Sequence, residues 1–169
     1  MKVLVYGSLN IDHVYNLPRF LRPGETLASN GYQRNSGGKG LNQAIALARA
    51  GQDTWFAGGV GQDGLFLVDA LKKENVDTSL LQVLDCPTGH AVIYVDEKGE
   101  NTIVLYGGAN QTVTGESILK TLDACMPGDL VLLQNEINLV PEIIKAPIPI
   151  IIHPVIYQHS PRLHINLCY

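Results

Sequence analysis

Gly37-Gly38-Lys39-Gly40-Leu41-Asn42-Gln43-Ala44 is the stretch on which the fold turns. Paired glycines let the backbone approach a neighbour or a ligand closely. A helical pattern follows over 39–50, with Leu41, Ala44, Ile45 and Ala48 on one face, and Gly51 fits its C-terminal stop. A helix start offers backbone N–H donors that the helix itself does not use, so this segment suits a polar or anionic ligand. Asn42, on the first turn, can bond a hydroxyl. The same residues also read as a turn that only feeds a helix. A phosphate-cradling P-loop is excluded, because the required glycine and Ser/Thr positions hold Gln33 and Gly40.

Upstream, Lys2 to Gly7 is an apolar run that predicts a buried first strand. At its end, in Gly7-Ser8-Leu9-Asn10-Ile11-Asp12, the polar Asn10 and Asp12 alternate with Leu9 and Ile11. On an extended segment both polar side chains face one way. A carboxamide beside a carboxylate suits a polyhydroxylated ligand, although a plain polar turn has the same composition. Downstream, the pattern predicts a strand at 54–58, a helix at 65–74 and strands at 90–95 and 101–106 joined by the hairpin Asp96-Glu97-Lys98-Gly99-Glu100. Thr114 is placed to cap a helix at 115–125, with Glu116 in its first turn, and a further strand follows at 129–134. The alternation of strands and helices predicts an α/β fold with a mostly parallel sheet, interrupted by an antiparallel element.

Composition narrows the function. The net charge of −4 comes without any Lys/Arg run, which argues against nucleic acid or an anionic membrane as partner. No stretch approaches the length of a membrane span, and the start is too short for a signal peptide. Cys86, Cys125 and Cys168 are far apart and without metal-ligand spacing, so reduced thiols in a cytoplasmic protein are expected. His153, His159 and His164 lack acidic neighbours and make no metal site.

Gly37, Gly38, Gly40, Asn42, Ala44, Gly51 and Gly61 together match the first signature of the PfkB carbohydrate kinase family, in its ribokinase-like branch. Gly24-Glu25-Thr26 and Gly107-Gly108-Ala109-Asn110 extend the resemblance, which runs from about Val3 to about Ile144. It implies a three-layer α/β/α fold with a mostly parallel central sheet and a small antiparallel β-lid, with lid strands near 13–18, 31–35, 90–95 and 101–106. The family's sugar contacts fall on Asn10, Asp12, Gly38, Lys39 and Asn42, and Glu136 matches a strand-end acid near the sugar and the metal–phosphate region. The implied activity is ATP-dependent phosphorylation of a primary hydroxyl of a pentose such as D-ribose. ATP, Mg²⁺ and, in ribokinases, a monovalent cation are implied with it, as is a homodimer formed through the lid.

The resemblance covers residues 1–145, the first half of such a domain. The family's catalytic base is an aspartate in a Gly-Ala-Gly-Asp run of the C-terminal half, whereas here the last acid is Glu142 and the last glycine Gly128. The expectation is therefore a chain truncated or frameshifted after about residue 145, lacking base and ATP site and inactive alone. Residues 146–169 form an atypical tail with Pro147, Pro149, Pro154 and Pro161, and a strand is expected at 148–152. Two alternatives stay open: a non-catalytic remnant that binds sugar or pairs through the lid, and a dinucleotide-binding oxidoreductase. The latter rests on Gly59-Val60-Gly61-Gln62-Asp63-Gly64 after a strand, with Asp85 about 20 residues on. Asp63 argues against it, since it places a carboxylate where pyrophosphate would bind.

Overall fold

Strand β1 (Val3–Tyr6) is buried at every residue, and its side chains alternate between two cores. Val5 enters a cluster with Phe56, Leu41, Leu67 and Leu71, while Leu4 and Tyr6 enter one with Val131, Leu133, Ile118 and Ile143 on the opposite face. A strand buried on both faces belongs at the centre of a parallel sheet covered by helices. The computed structural model, which describes residues 1–145 and the backbone of 150–153, has this arrangement.

In chain order, β2 (Asn10–Asn16) and β3 (Gly31–Gly37) precede α1 (Lys39–Arg49), followed by β4 (Thr54–Gly61), α2 (Leu65–Lys73) and β5 (Asp77–Leu84). Then come β6 (Gly89–Val95), β7 (Asn101–Tyr106), α3 (Gly115–Asp123), β8 (Leu130–Gln134), α4 (Val140–Ile144) and β9 (Ile150–His153). The body sheet has the order β5-β4-β1-β8-β9 with every pairing parallel. Helices α1 and α2 cover one face, and α3 and α4 the other. Gly51, with φ of 82°, ends α1 as expected, and Thr114 Oγ1 accepts from Ser117 N–H at 3.1 Å to cap α3.

A second sheet, order β3-β2-β6-β7, stands above the body sheet's C-terminal edge. Its outer pairs are antiparallel, but β2 and β6 run parallel at its centre, because both leave the body in the same direction. The four strands meet the body along one row, where Asn10 faces Gly37 and Gly89, and His90 faces Tyr106. One face of this sheet carries Asp12, Ala91, Ile93, Ile103 and Leu105. The other carries ring contacts between His13 and Tyr32, His13 and His90, Tyr15 and Tyr94, and His90 and Tyr106. On that outer face Arg34 reaches back to the body, with its guanidinium 4.2 Å over the Phe66 ring and a bond to the Asp63 carbonyl at 2.5 Å. The strand expected at 148–152 is found as β9 over 150–153, whereas the remainder of the tail lies outside the described residues.

Candidate functional site

The glycine turn and the first strand end are packed into each other, which explains their composition. A Cβ on Gly38 would lie 2.7 Å from the Ser8 carbonyl oxygen, and one on Gly40 would lie 2.5 Å from Ser8 N. Gly38 also has φ of 99°, which disfavours any other residue. A Cβ on Gly37 would collide with the Asp12 carboxylate, which lies across that peptide.

The contact is then sealed by hydrogen bonds that the sequence did not reveal. Ser8 Oγ donates to Glu136 Oε2 at 2.6 Å, and the backbone N–H of Lys39 donates to the same oxygen at 3.1 Å. Lys39 Nζ is ion-paired to Glu136 Oε1. Gly40 N–H donates to Ser8 Oγ at 3.3 Å, and Leu41 N–H to the Ser8 carbonyl at 3.1 Å. The first donors of α1 are thus committed within the protein. The expectation that these donors are free for a ligand is corrected: Glu136 and Ser8 take the N–H groups of Lys39, Gly40 and Leu41.

Asn10, Asp12, Gly38, Lys39, Asn42 and Glu136 all line one cavity of about 400 Å³, roofed by Ala91, Ile93, Ile103 and Leu105. Residues separated by more than 120 positions in the chain are brought together because β1 sits between β4 and β8, which places its end beside that of β8. A second cavity of about the same volume shares Asn10, Leu105 and Glu136 and adds Asn110, Gln111 and Asn135. The two carboxylates differ in acidity. Burial, reinforced by the charge of Glu136, raises the Asp12 pKa above the usual carboxylate range. Burial also pushes Glu136 upward, but the bonds from Lys39 and Ser8 outweigh it and hold its pKa below the ordinary value. The cavity therefore combines an ionised, internally satisfied acid just after β8 with a less acidic one on the inner face of the second sheet.

The dinucleotide alternative fails on geometry. A Cβ on Gly59 would lie 2.8 Å from the Ala109 carbonyl oxygen, and one on Gly61 would lie 2.8 Å from Thr88 N. Gly64 is closed in by the Thr88 side chain. These glycines are therefore pressed against protein and leave no room for a pyrophosphate. The Asp63 carboxylate is occupied by Thr88, accepting from N–H at 3.0 Å and from Oγ1 at 2.6 Å.

The family description "pfkB family carbohydrate kinase" matches residues 1–147. The chain belongs to this family. Within it, the ribokinase of Staphylococcus aureus (strain COL) is 42% identical over 149 residues, covering 86% of this chain and 49% of that protein. A ribokinase from Cryptococcus neoformans solved in complex with ADP superimposes with a TM-score of 0.76 at 35% identity, covering 89% of this chain and 50% of that one. Arabidopsis thaliana ribokinase, solved with ribose and ATP, gives 0.73 at 30% identity, covering 89% and 52%. This pfkB-family chain thus spans about half the length of these ribokinases.

Among the described residues no group of three or more His, Cys, Asp or Glu is arranged to hold a metal ion. Nor is any helix there long and apolar enough to cross a membrane. Ser8 and Asn110 make hydrogen bonds at this site that the sequence reading did not assign. Asn110 lay within the quoted Gly107–Asn110 run, and its place directly after the hairpin was the available signal.

Proposed function

We propose that this chain forms the sugar-binding side of an ATP-dependent ribokinase-type kinase, which phosphorylates a primary hydroxyl of a pentose such as D-ribose. The observation that carries this reading is the convergence of Asn10, Asp12, Gly38, Lys39, Asn42 and Glu136 on one cavity beneath an apolar roof. A furanose has hydroxyls around its rim and C–H bonds on its faces. Carboxylates and carboxamides pair the first, and Ala91, Ile93, Ile103 and Leu105 cover the second. Tilting the lid onto a bound sugar would exclude water, the competing phosphoryl acceptor.

What these residues do is bind, orient and shield the sugar. ATP, Mg²⁺ and an activating monovalent cation belong to the family reaction, and the resemblance assigns the aspartate base and the ATP site to the half that this chain does not match. Among the described residues, the first N–H groups of α1 are already bonded to Ser8 and Glu136 and are not free to cradle a phosphate. The isolated chain is therefore expected to bind without turnover, in a cytosolic setting consistent with the free thiols of Cys86 and Cys125. Pairing of two copies through the lid is part of the same reading, supported by Val104 and Tyr106 on its outer face at 58% and 51% exposure. The second reading, a remnant that binds sugar or dimerises without chemistry, differs only in catalysis; a coupled ATPase assay with ribose separates the two.

Calorimetry with ribose on the full chain and on Asp12→Ala is the direct test. Saturable binding that disappears in the variant supports the assignment. A folded wild-type chain that takes up no ribose overturns it.

A further inference from the structure

Asn110 follows β7 and is 2% exposed. Its Oδ1 accepts from the Leu9 backbone N–H at 3.0 Å, and its Nδ2 donates to the Leu9 carbonyl at 3.1 Å. The two ends of a carboxamide are nearly alike in shape but opposite in hydrogen-bonding role. A peptide N–H can only donate and a peptide C=O can only accept. The pair of hydrogen bonds to Leu9 therefore dictates which end of Asn110 is oxygen and which is nitrogen. The second Nδ2 proton points at Asn10, whose Oδ1 lies at 2.8 Å. That donor requires an acceptor, so the Asn10 amide is fixed in turn, with oxygen toward Asn110 and NH₂ toward the cavities that Asn10 lines. Gly89 leaves the space for this pair: a Cβ there would collide with Asn110 Nδ2 and lie 2.6 Å from Asn10 Oδ1.

We propose that Asn110 is a positioning residue that sets the polarity of the sugar site. It holds Asn10 as a hydrogen-bond donor beside Asp12, a hydrogen-bond acceptor when ionised. A ligand hydroxyl between them accepts from Asn10 and donates to Asp12, so the string of bonds runs one way from the Asn110 amide to the carboxylate. With Asn10 turned over, two acceptors would face that hydroxyl, and its single proton could satisfy one of them. The effect on binding rests on the sugar reading above, whereas the orientation of Asn10 does not.

A double-mutant cycle tests the binding effect on the full chain, with ribose titrated into wild type, Asn110→Ala, Asn10→Ala and the double variant. Asn110→Ala is expected to weaken binding about tenfold when Asn10 is present and not at all when it is alanine. Equal losses in both backgrounds would mean a general structural role and would overturn the proposal. Should Asn110→Ala fail to fold, Asn110→Asp retains the acceptor for Leu9 N–H and removes both donors, and the same cycle applies. Orientation is read without ligand from side-chain amide exchange by NMR. Asn110 protons are expected to exchange slowly and those of Asn10 much faster, and the reverse order overturns the assignment. The expected exchange order without ribose binding would uphold the orientation and count against the sugar reading instead.

Discussion

The two sheets of this molecule are built to opposite rules. In the body sheet, β1 is buried throughout and feeds both cores, and every pairing is parallel. In the lid sheet, all six residues of β7 are exposed, and the apolar Ile103 and Leu105 face a cavity instead of a core. The body's side chains are committed to one another, whereas the lid's inner face is left for something to fill. The residues proposed to bind the sugar collect along the seam between them, where buried strand ends meet polar side chains.

Leu133→Ala should break the body side of this comparison most severely. Leu133 is fully buried, and its truncation is expected to cost about 2–5 kcal/mol in a urea unfolding titration. Ile103→Ala, at 49% exposure, should cost under about 1 kcal/mol and instead weaken ribose binding. Equal destabilisation by both would erase the distinction. At the seam, Gly40→Ala places a methyl group 2.5 Å from Ser8 N and 2.7 Å from Ser8 O. A loss of about 1–3 kcal/mol is expected although alanine is ordinarily the better helix residue. Circular dichroism melts would show it.

The two cavity acids sharpen the comparison through pH. Glu136 is held more acidic in the folded chain, so its ionised form stabilises the fold above the unfolded carboxylate range, and that support is lost as pH falls through its folded pKa. Asp12 is held less acidic, so its ionised form opposes folding at neutral pH, and that penalty vanishes as the native carboxyl takes up its proton. Thermal melts across pH are therefore expected to show Glu136→Gln less stable and Asp12→Asn more stable than wild type at pH 7. Both gaps should narrow on acidification. Asp12→Asn should nevertheless lose ribose binding, which would mark Asp12 as a residue kept for its ligand. The smallest effect is expected for Arg34→Ala, which removes an exposed ring contact at about 0.5–1 kcal/mol. Amide exchange in β3 should rise while the body sheet is unchanged.

Much of this was legible in the chain because local chemistry and global fold agree. The run Val3–Tyr6, the periodicity of Leu41, Ala44 and Ile45, and the cap at Thr114 each point to the element that forms. β5 escaped notice because Asp77-Thr78-Ser79-Leu80-Leu81-Gln82-Val83-Leu84 does not alternate, and as an edge strand it need not bury one regular face. α4 is five residues long and begins after Leu139 at φ of 57°, too short to show a period that would give its bounds. In the site, residue types and glycines could be read, but the bonding could not. Ser8 meets Glu136 across 128 positions and Asn110 meets Leu9 across 101, and no local pattern encodes such pairings.

The row in which the lid strands meet the body has a mechanical consequence. Its four chain crossings lie side by side, and glycine stands in or next to three of them, at Gly37–Gly38, Gly89 and Gly107–Gly108. A plate fastened along one edge can swing about that edge, but it cannot slide along it. At every angle Ile103 and Leu105 would sweep the same arc above Lys39 and Asn42 of α1, so alignment of roof and floor is inherited from the hinge and needs no ligand to establish it.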